Sequence, residues 1–217
     1  SMLAEDLAPN RLERAKLAIR DCLEGLNGDR VSLIAFAGTA TVKCPLTLDY
    51  GFFRMMLEGI GPNDIPRGGT LIGDALRVAM DEVLDEEDNG FKDIILITDG
   101  DDQESFPVDA ARAAGEAGIR IIAIGLGDDE QGHRIPVTDE QGRKTFLMYE
   151  GEEVWSRLGA ETLRQVAAAT PDGKYLNVAT GAFDLNAIYQ AFIASAEKRA
   201  LGDARIFLYD EKFQIFI

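Results

Sequence analysis

Residues 72–100 read IGDALRVAMDEVLDEEDNGFKDIILITDG, and the change of rhythm inside this stretch decides the fold. Ile72, Ala75, Leu76, Ala79, Met80 and Val83 recur at helical spacing and define one apolar face. An acidic turn with Gly90 follows. Asp93 to Thr98 is then almost continuously apolar, the pattern of a strand buried on both faces. The unit repeats, with Val108–Gly115 as helix and Gly118–Gly125 as strand. Such alternation predicts an α/β domain with a doubly wound, mostly parallel sheet and helices on both faces. Right-handed crossovers place the loops after Ile97 and Ile124 at one carboxyl edge, where open α/β sheets bind their ligands.

Outward from this core, Asn10 to Leu26 reads as an amphipathic helix with Leu12, Ala15, Ile19, Cys22 and Leu26 on one face and Asn10 as its cap. Arg30–Phe36 fits an interior strand, Thr39–Pro45 a more polar strand, and Tyr50–Leu57 a short helix. Gly61 to Gly69 is loop. After Gly127 the rhythm breaks, and His133–Tyr149 reads as a hairpin excursion around the turn-forming Asp139–Gly142. Ala160–Ala169 resumes as helix and Lys174–Val178 as strand. Asp184 caps a final helix with Leu185, Ile188, Phe192 and Ala196 on one face. Residues 1–203 make up the domain, and the alternating, aromatic tail 204–217 reads as an added strand.

The 217 residues are enough for a full core, and 46% hydrophobic with 28% charged residues is an ordinary globular balance. A formal net charge of −16 argues against a nucleic-acid partner and against a bare anionic bilayer. The acidity serves either solubility or the docking of a basic partner. No apolar run approaches a membrane span, and no stretch of the sequence reads as a signal peptide. Cys22 falls on the helix stripe and reads as core; Cys44 lies near an expected edge strand.

Two loops carry the candidate chemistry. Ile97-Thr98-Asp99-Gly100-Asp101-Asp102 ends a strand in carboxylates, whose hard oxygens suit magnesium or another hard divalent cation. Asp99 is the best placed. Asp101, Asp102 and Glu104 read equally as a solvated turn, and Asp99 itself as a local turn or cap. The second loop is Pro66-Arg67-Gly68-Gly69-Thr70-Leu71, in which Thr70 supplies either an oxygen ligand or the cap of the next helix. Gly69, Gly100, Asp101 and Asp74 are expected on the rim rather than as ligands.

These loops resemble the von Willebrand factor A-type domains, whose metal-ion-dependent adhesion site joins an Asp-x-Ser-x-Ser loop, a threonine loop and an aspartate loop. Thr70 in Gly-Gly-Thr and Asp99 in Ile-Thr-Asp-Gly match the last two, in the required order. The resemblance puts Ser1 at the final serine of the first motif, or makes Ser1-Met2 a scar of expression, so the expected site is Asp99, Thr70 and Ser1, incomplete by a carboxylate and a hydroxyl. It implies Mg2+ or Mn2+ in the whole protein and at most weak occupancy here. It also implies that the first, central strand precedes Ser1. Its place is then open to Arg205–Ile217, within the chain or exchanged between copies, or to Ser1–Leu7.

Leu12-Glu13-Arg14-Ala15-Lys16, Leu158-Gly159-Ala160-Glu161-Thr162-Leu163 and Tyr209-Asp210-Glu211-Lys212-Phe213-Gln214 are similar to the bacterial aerotolerance-operon group of membrane-anchored A-type domain proteins, the BatB-like group. That likeness implies a membrane-anchored protein of the bacterial envelope, with an anchor after the tail. It further implies partners among MoxR-type AAA+ ATPases and sibling A-type domain proteins. The function expected is non-enzymatic: metal-dependent capture of a partner carboxylate, with a metal-assisted phosphate hydrolase and a metal-independent scaffold as the rival readings.

The remaining candidates are weaker. His133, beside Arg134 and without a nucleophile pattern, reads as a surface residue. Trp155 is either an interface anchor or a half-buried packing residue. Gly125-Leu126-Gly127 lacks the pattern of a nucleotide loop and is expected to shape the rim of the carboxyl edge. Glu86, Glu87 and Asp88 read as a solvated turn on the opposite edge.

Overall fold

The computed structural model describes residues 1–26, 28–62, 64–65, 69–84, 91–100, 102, 104–138, 141–178, 184–191 and 213–216. Asp101, Glu86, Glu87, Asp88 and most of the 204–217 tail therefore lie outside the described residues, as do Pro66, Arg67 and Gly68.

The elements run α1 (Arg11–Leu23), β1 (Arg30–Phe36), β2 (Ala40–Thr47), α2 (Tyr50–Gly59) and α3 (Ile72–Val78), then β3 (Lys92–Thr98), α4 (Pro107–Glu116) and β4 (Arg120–Leu126). The helical path of α3 continues as a wider turn over Ala79–Val83, closed by the Leu84 amide on the Ala79 carbonyl at 3.0 Å. Short strands follow: β5 (His133–Arg134), β6 (Pro136–Thr138), β7 (Lys144–Phe146), β8 (Met148–Tyr149), β9 (Glu152–Glu153) and β10 (Trp155–Ser156). Then come α5 (Ala160–Ala168), β11 (Lys174–Val178), α6 (185–191) and β12 (Phe213–Phe216).

Six strands form the sheet in the order β11-β4-β3-β12-β1-β2. All neighbours are parallel except β1 and β2, which pair antiparallel at one edge. Strand alternation sorts the core into two layers. Ile95, Ile97, Ile122, Ile124 and Leu126 face α1, α2 and α6, whereas Ile94, Leu96, Ile121 and Ala123 face α3, α4 and α5. The expected doubly wound α/β fold is the fold observed.

The position of β12 controls the middle of the sheet. Phe213–Phe216 lies between β1 and β3, in register with Arg30–Leu33 on one side and Lys92–Ile95 on the other. Both flanking strands run three residues further, to Phe36 and Thr98. Past the end of this ladder lies a cavity of about 560 Å³, lined on its two sides by Leu33–Ala37 and Ile97–Asp99 and floored by Ile19 and Leu57.

Two expectations need correcting. The apolar stripe of α1 begins at Arg11, which is fully buried, and runs through Ala15, Ala18, Ile19 and Cys22; Leu12 is only half-buried. Trp155 is not half-buried but 59% exposed. It lies on β10, a two-residue strand paired only with β5, too short to build a layer over it. The excursion itself is present, but it extends to Ser156 as three stacked two-strand ladders rather than one hairpin.

Candidate functional site at the carboxyl edge of the sheet

Strand β3 is buried along nearly its whole length and delivers Asp99 to the carboxyl edge with 1% of its surface exposed. The turn behind it depends on Gly100, whose φ of +74 is open to glycine and strained for side chains. A Cβ there would lie 2.8 Å from the carbonyl oxygen of Gly159. The Gly159 amide in turn donates to the Asp99 carbonyl at 2.8 Å, which fixes the strand end against the start of α5.

A carboxylate this deeply buried needs a counter-charge, and Arg11 provides it. Its Nη1 donates to Asp99 Oδ2 at 3.2 Å and to Ser156 Oγ at 2.7 Å, and Ser156 Oγ donates to the same Asp99 oxygen at 3.1 Å. The rest of the guanidinium is gripped by Asp6, through Nε to Oδ1 at 2.9 Å and Nη2 to Oδ2 at 2.8 Å. Four segments thus meet on one buried cation: the amino-terminal arm, α1, the end of β3 and the end of the excursion. Gly127 makes room for it, since a Cβ at that position would stand 2.5 Å from Arg11 Nη2. The rim role expected of the 125–127 loop is therefore to admit this guanidinium.

Burial alone would raise the Asp6 carboxyl, but its hydrogen bonds from Arg11 and the charge of Arg11 outweigh that and hold it below the ordinary carboxylate value. A depressed folded value means that Asp6 stabilises the fold fully above its unfolded value. That contribution is lost as pH falls through the depressed one. Asp6→Asn is accordingly expected to lower the urea midpoint at pH 7. The gap from the wild type should close in acid once Asp6 is protonated in both states. A gap that stays constant down to pH 2 would refute the assignment.

The other expected site residues divide. Ser1, Gly69 and Thr70 all line the 560 Å³ cavity together with Asp99, so three separate segments bring them to one place. Asp74 does not join them: it pairs with Arg77 at 2.8 Å on the partly exposed flank of α3. Gly100 lies behind the edge against α5. Thr70 does not cap α3. That end is held by the opposite loop, where Asp102 Oδ2 accepts from the Ile72 amide at 2.7 Å and Ser105 Oγ accepts from the Gly73 amide at 2.7 Å. Asp102 is thus a structural bridge between the two loops, bonded also to the Ser105 hydroxyl and amide, and not a solvated turn residue. His133 is half-buried at the base of the excursion, where its charge helps lower Asp6.

Arg11, Asp6 and Ser156 were not picked out by sequence reasoning. For Arg11 a signal exists: an arginine on a helix at the spacing of Ala15, Ala18 and Cys22 occupies a core position and must find carboxylates there.

A sequence model of the von Willebrand factor type A domain matches residues 1–101. The solved structure of BatB from Bacteroides thetaiotaomicron is 36% identical, covers 91% of this chain and 94% of its own, and superposes with a TM-score of 0.82. An aerotolerance-related membrane protein from Bacteroides fragilis is 32% identical with the same coverage and a TM-score of 0.80. A UPF0353 protein of Mycobacterium avium is 29% identical over 77% of this chain and 56% of its own length. This chain belongs to the von Willebrand factor type A domain family, and it resembles the BatB-like aerotolerance proteins within it. It spans only 34% to 56% of the first curated relatives that it matches. No helix among the described residues is long and apolar enough to cross a membrane.

The family implies a divalent ion at this edge, and the residues described here do not fit one as a resident. Among them no group of three or more histidine, cysteine or acidic side chains is placed to hold a metal. Two carboxylates line the cavity: Asp99 is bonded to the Arg11 guanidinium at 3.2 Å and to the Ser156 hydroxyl, and Asp64 accepts from the Gly61 amide, so each is already engaged where the hydroxyls of Ser1 and Thr70 would need charge beside them to hold a cation.

Proposed function

We propose that this domain is a non-enzymatic protein-interaction module of a membrane-associated bacterial complex, and that it docks its partner at the carboxyl edge of the sheet. The observation that carries this reading is the convergence of Ser1, Gly69, Thr70 and Asp99 from three segments on one cavity at that edge. Polar oxygens at the mouth of an apolar cavity orient a partner side chain, while the walls exclude water around it. Mg2+ or Mn2+ at this edge belongs to the assembled protein, with ligands, including a partner carboxylate, beyond those that these residues contribute. MoxR-type AAA+ ATPases and sibling A-type domains in the bacterial envelope are the partners proposed.

A hydrolase fits less well. Asp99 is committed to Arg11 and Ser156, and Lys16, the lysine on the cavity wall, is held by Glu13 and by the carbonyls of Glu58 and Ile60. Neither is free to attack or to grip a phosphate.

Thr70→Val tests the docking edge without touching the Arg11 network. With an immobilised MoxR-type ATPase, the expected result is roughly tenfold weaker capture of the variant, at unchanged thermal stability. Capture unchanged by Thr70→Val and by a chelator would leave the domain a scaffold that binds elsewhere.

A further inference from the structure

A groove of about 210 Å³ runs between α1 and α2, lined by Glu13, Lys16, Leu17 and Arg20 from the first and by Arg54, Leu57 and Glu58 from the second. At one end its charges are settled. The Lys16 ammonium donates to Glu13 Oε1 at 3.0 Å and to the carbonyls of Glu58 and Ile60 at 3.1 and 3.0 Å. These bonds use its three protons and close the last turn of α2 against α1.

One turn further along α1 stands Arg20, and one turn before Glu58 on α2 stands Arg54, so the two arginines line the groove from opposite walls. Among the described residues neither guanidinium takes part in a hydrogen bond or an ion pair. Elsewhere in the chain Arg11, Arg77, Arg112, Arg120, Arg134 and Arg164 each meet a carboxylate. With 38 acidic residues against 22 basic ones, carboxylates are not scarce. The last-turn position of Arg20 complements the dipole of α1, but that accounts for Arg20 alone and not for Arg54 in the middle of α2.

Two guanidiniums on one groove without a counter-ion repel each other and attract an oxyanion. A carboxylate is satisfied by the fork of a single arginine. A tetrahedral dianion presents oxygens to two forks and balances both charges. Leu17 and Leu57 add apolar wall, which suits the carbon body of an ester. We propose that the groove between α1 and α2 binds a phosphoryl group, held between Arg20 and Arg54 as the dianion of a phosphate monoester. The net charge of −16 repels such a dianion at long range, so the affinity comes from the local clamp and is modest. The proposal is independent of partner docking at the sheet edge, since neither arginine lines the Asp99 cavity.

Calorimetric titration of the chain at pH 7.5 with inorganic phosphate, glycerol 1-phosphate and acetate tests it. The expected result is saturable binding of both phosphates with a Kd on the order of 1 mM, and none of acetate. Arg20 is exposed and Arg54 half-buried, so Arg20→Gln and Arg54→Gln should keep the wild-type melting temperature while each weakens binding at least about tenfold. Thr70→Val should bind as the wild type does. Binding should weaken severalfold as pH falls through about 6, where the dianion takes up a proton. Vesicles containing phosphatidic acid separate the sources of the group: capture that Arg54→Gln abolishes assigns it to a lipid headgroup, and no capture assigns it to a soluble ester. No saturable binding of either phosphate, an equal response to acetate, or phosphate binding undiminished in both variants, meaning an adventitious ion only, would each overturn the proposal.

Discussion

Arg11→Met is expected to cost the fold about 3–5 kcal/mol, the range for removing one partner of a buried ion pair. The cost comes from what remains. Asp99 and Asp6 are 1% and 4% exposed at the side chain, and both would be left as buried carboxylates without a counter-charge. Methionine fills much of the space of the arginine stem, so the loss measures charge rather than volume. Urea unfolding at pH 7 reads it directly. Adding Asp99→Asn to Arg11→Met should restore part of the loss, because it removes one of the stranded charges, and the non-additivity of the two changes measures their coupling. A single variant within about 1 kcal/mol of the wild type would mean that water reaches these carboxylates.

Ile215→Pro should be of similar size, about 3 kcal/mol or more. Residue 215 sits in a strand with parallel neighbours on both sides, opposite Ser32 of β1 and Ile94 of β3. In such a strand every amide donates to one neighbour or the other, so proline removes a ladder bond and its ring crowds the strand beside it. The same substitution in a loose terminal segment would be almost silent. A melting temperature unchanged by Ile215→Pro would place the end of the chain outside the sheet.

The fold was legible because its interior strands are long and apolar; the short edge strand Lys174–Val178, with Lys174 and Asn177 exposed, is the exception. Arg30–Phe36 and Lys174–Val178 occur with the bounds that their patterns predict, and β3 differs by one residue. A strand buried on both faces writes itself as a continuous apolar run, and little else produces one of that length between turn signals. The excursion was legible only as a departure from the rhythm, since two- and three-residue ladders are too short to carry a period.

The candidate site was read less completely, for a physical reason. Asp99 and Thr70 stand at strand and loop ends that a motif can mark. The groups that govern Asp99 come from elsewhere: Asp6 from the arm, Arg11 from the first turn of α1 and Ser156 from the excursion, up to 93 residues away in the case of Asp6 (99 − 6). Side chains that meet only through tertiary structure leave no spacing to read. Asp102 was misread for the same reason, because the helix it caps lies 30 residues earlier in the chain. For Trp155 the sequence leaves an interface anchor and a half-buried packing residue both open, and only the exposure of 59% removes the second, since nothing local shows that the strand bearing it stands clear of the core.

The edge carboxylate Asp99 is committed to the buried Arg11, which Asp6 shares, so the described residues do not by themselves constitute a divalent-ion site. Calorimetric titration of the chain with Mn2+ tests it most directly. The account predicts no saturable binding tighter than about 1 mM, with no difference between the wild type and Thr70→Val. Stoichiometric binding in the micromolar range that is lost in Thr70→Val would contradict it, and would mean that Asp99 and its neighbouring hydroxyls hold the metal in spite of Arg11.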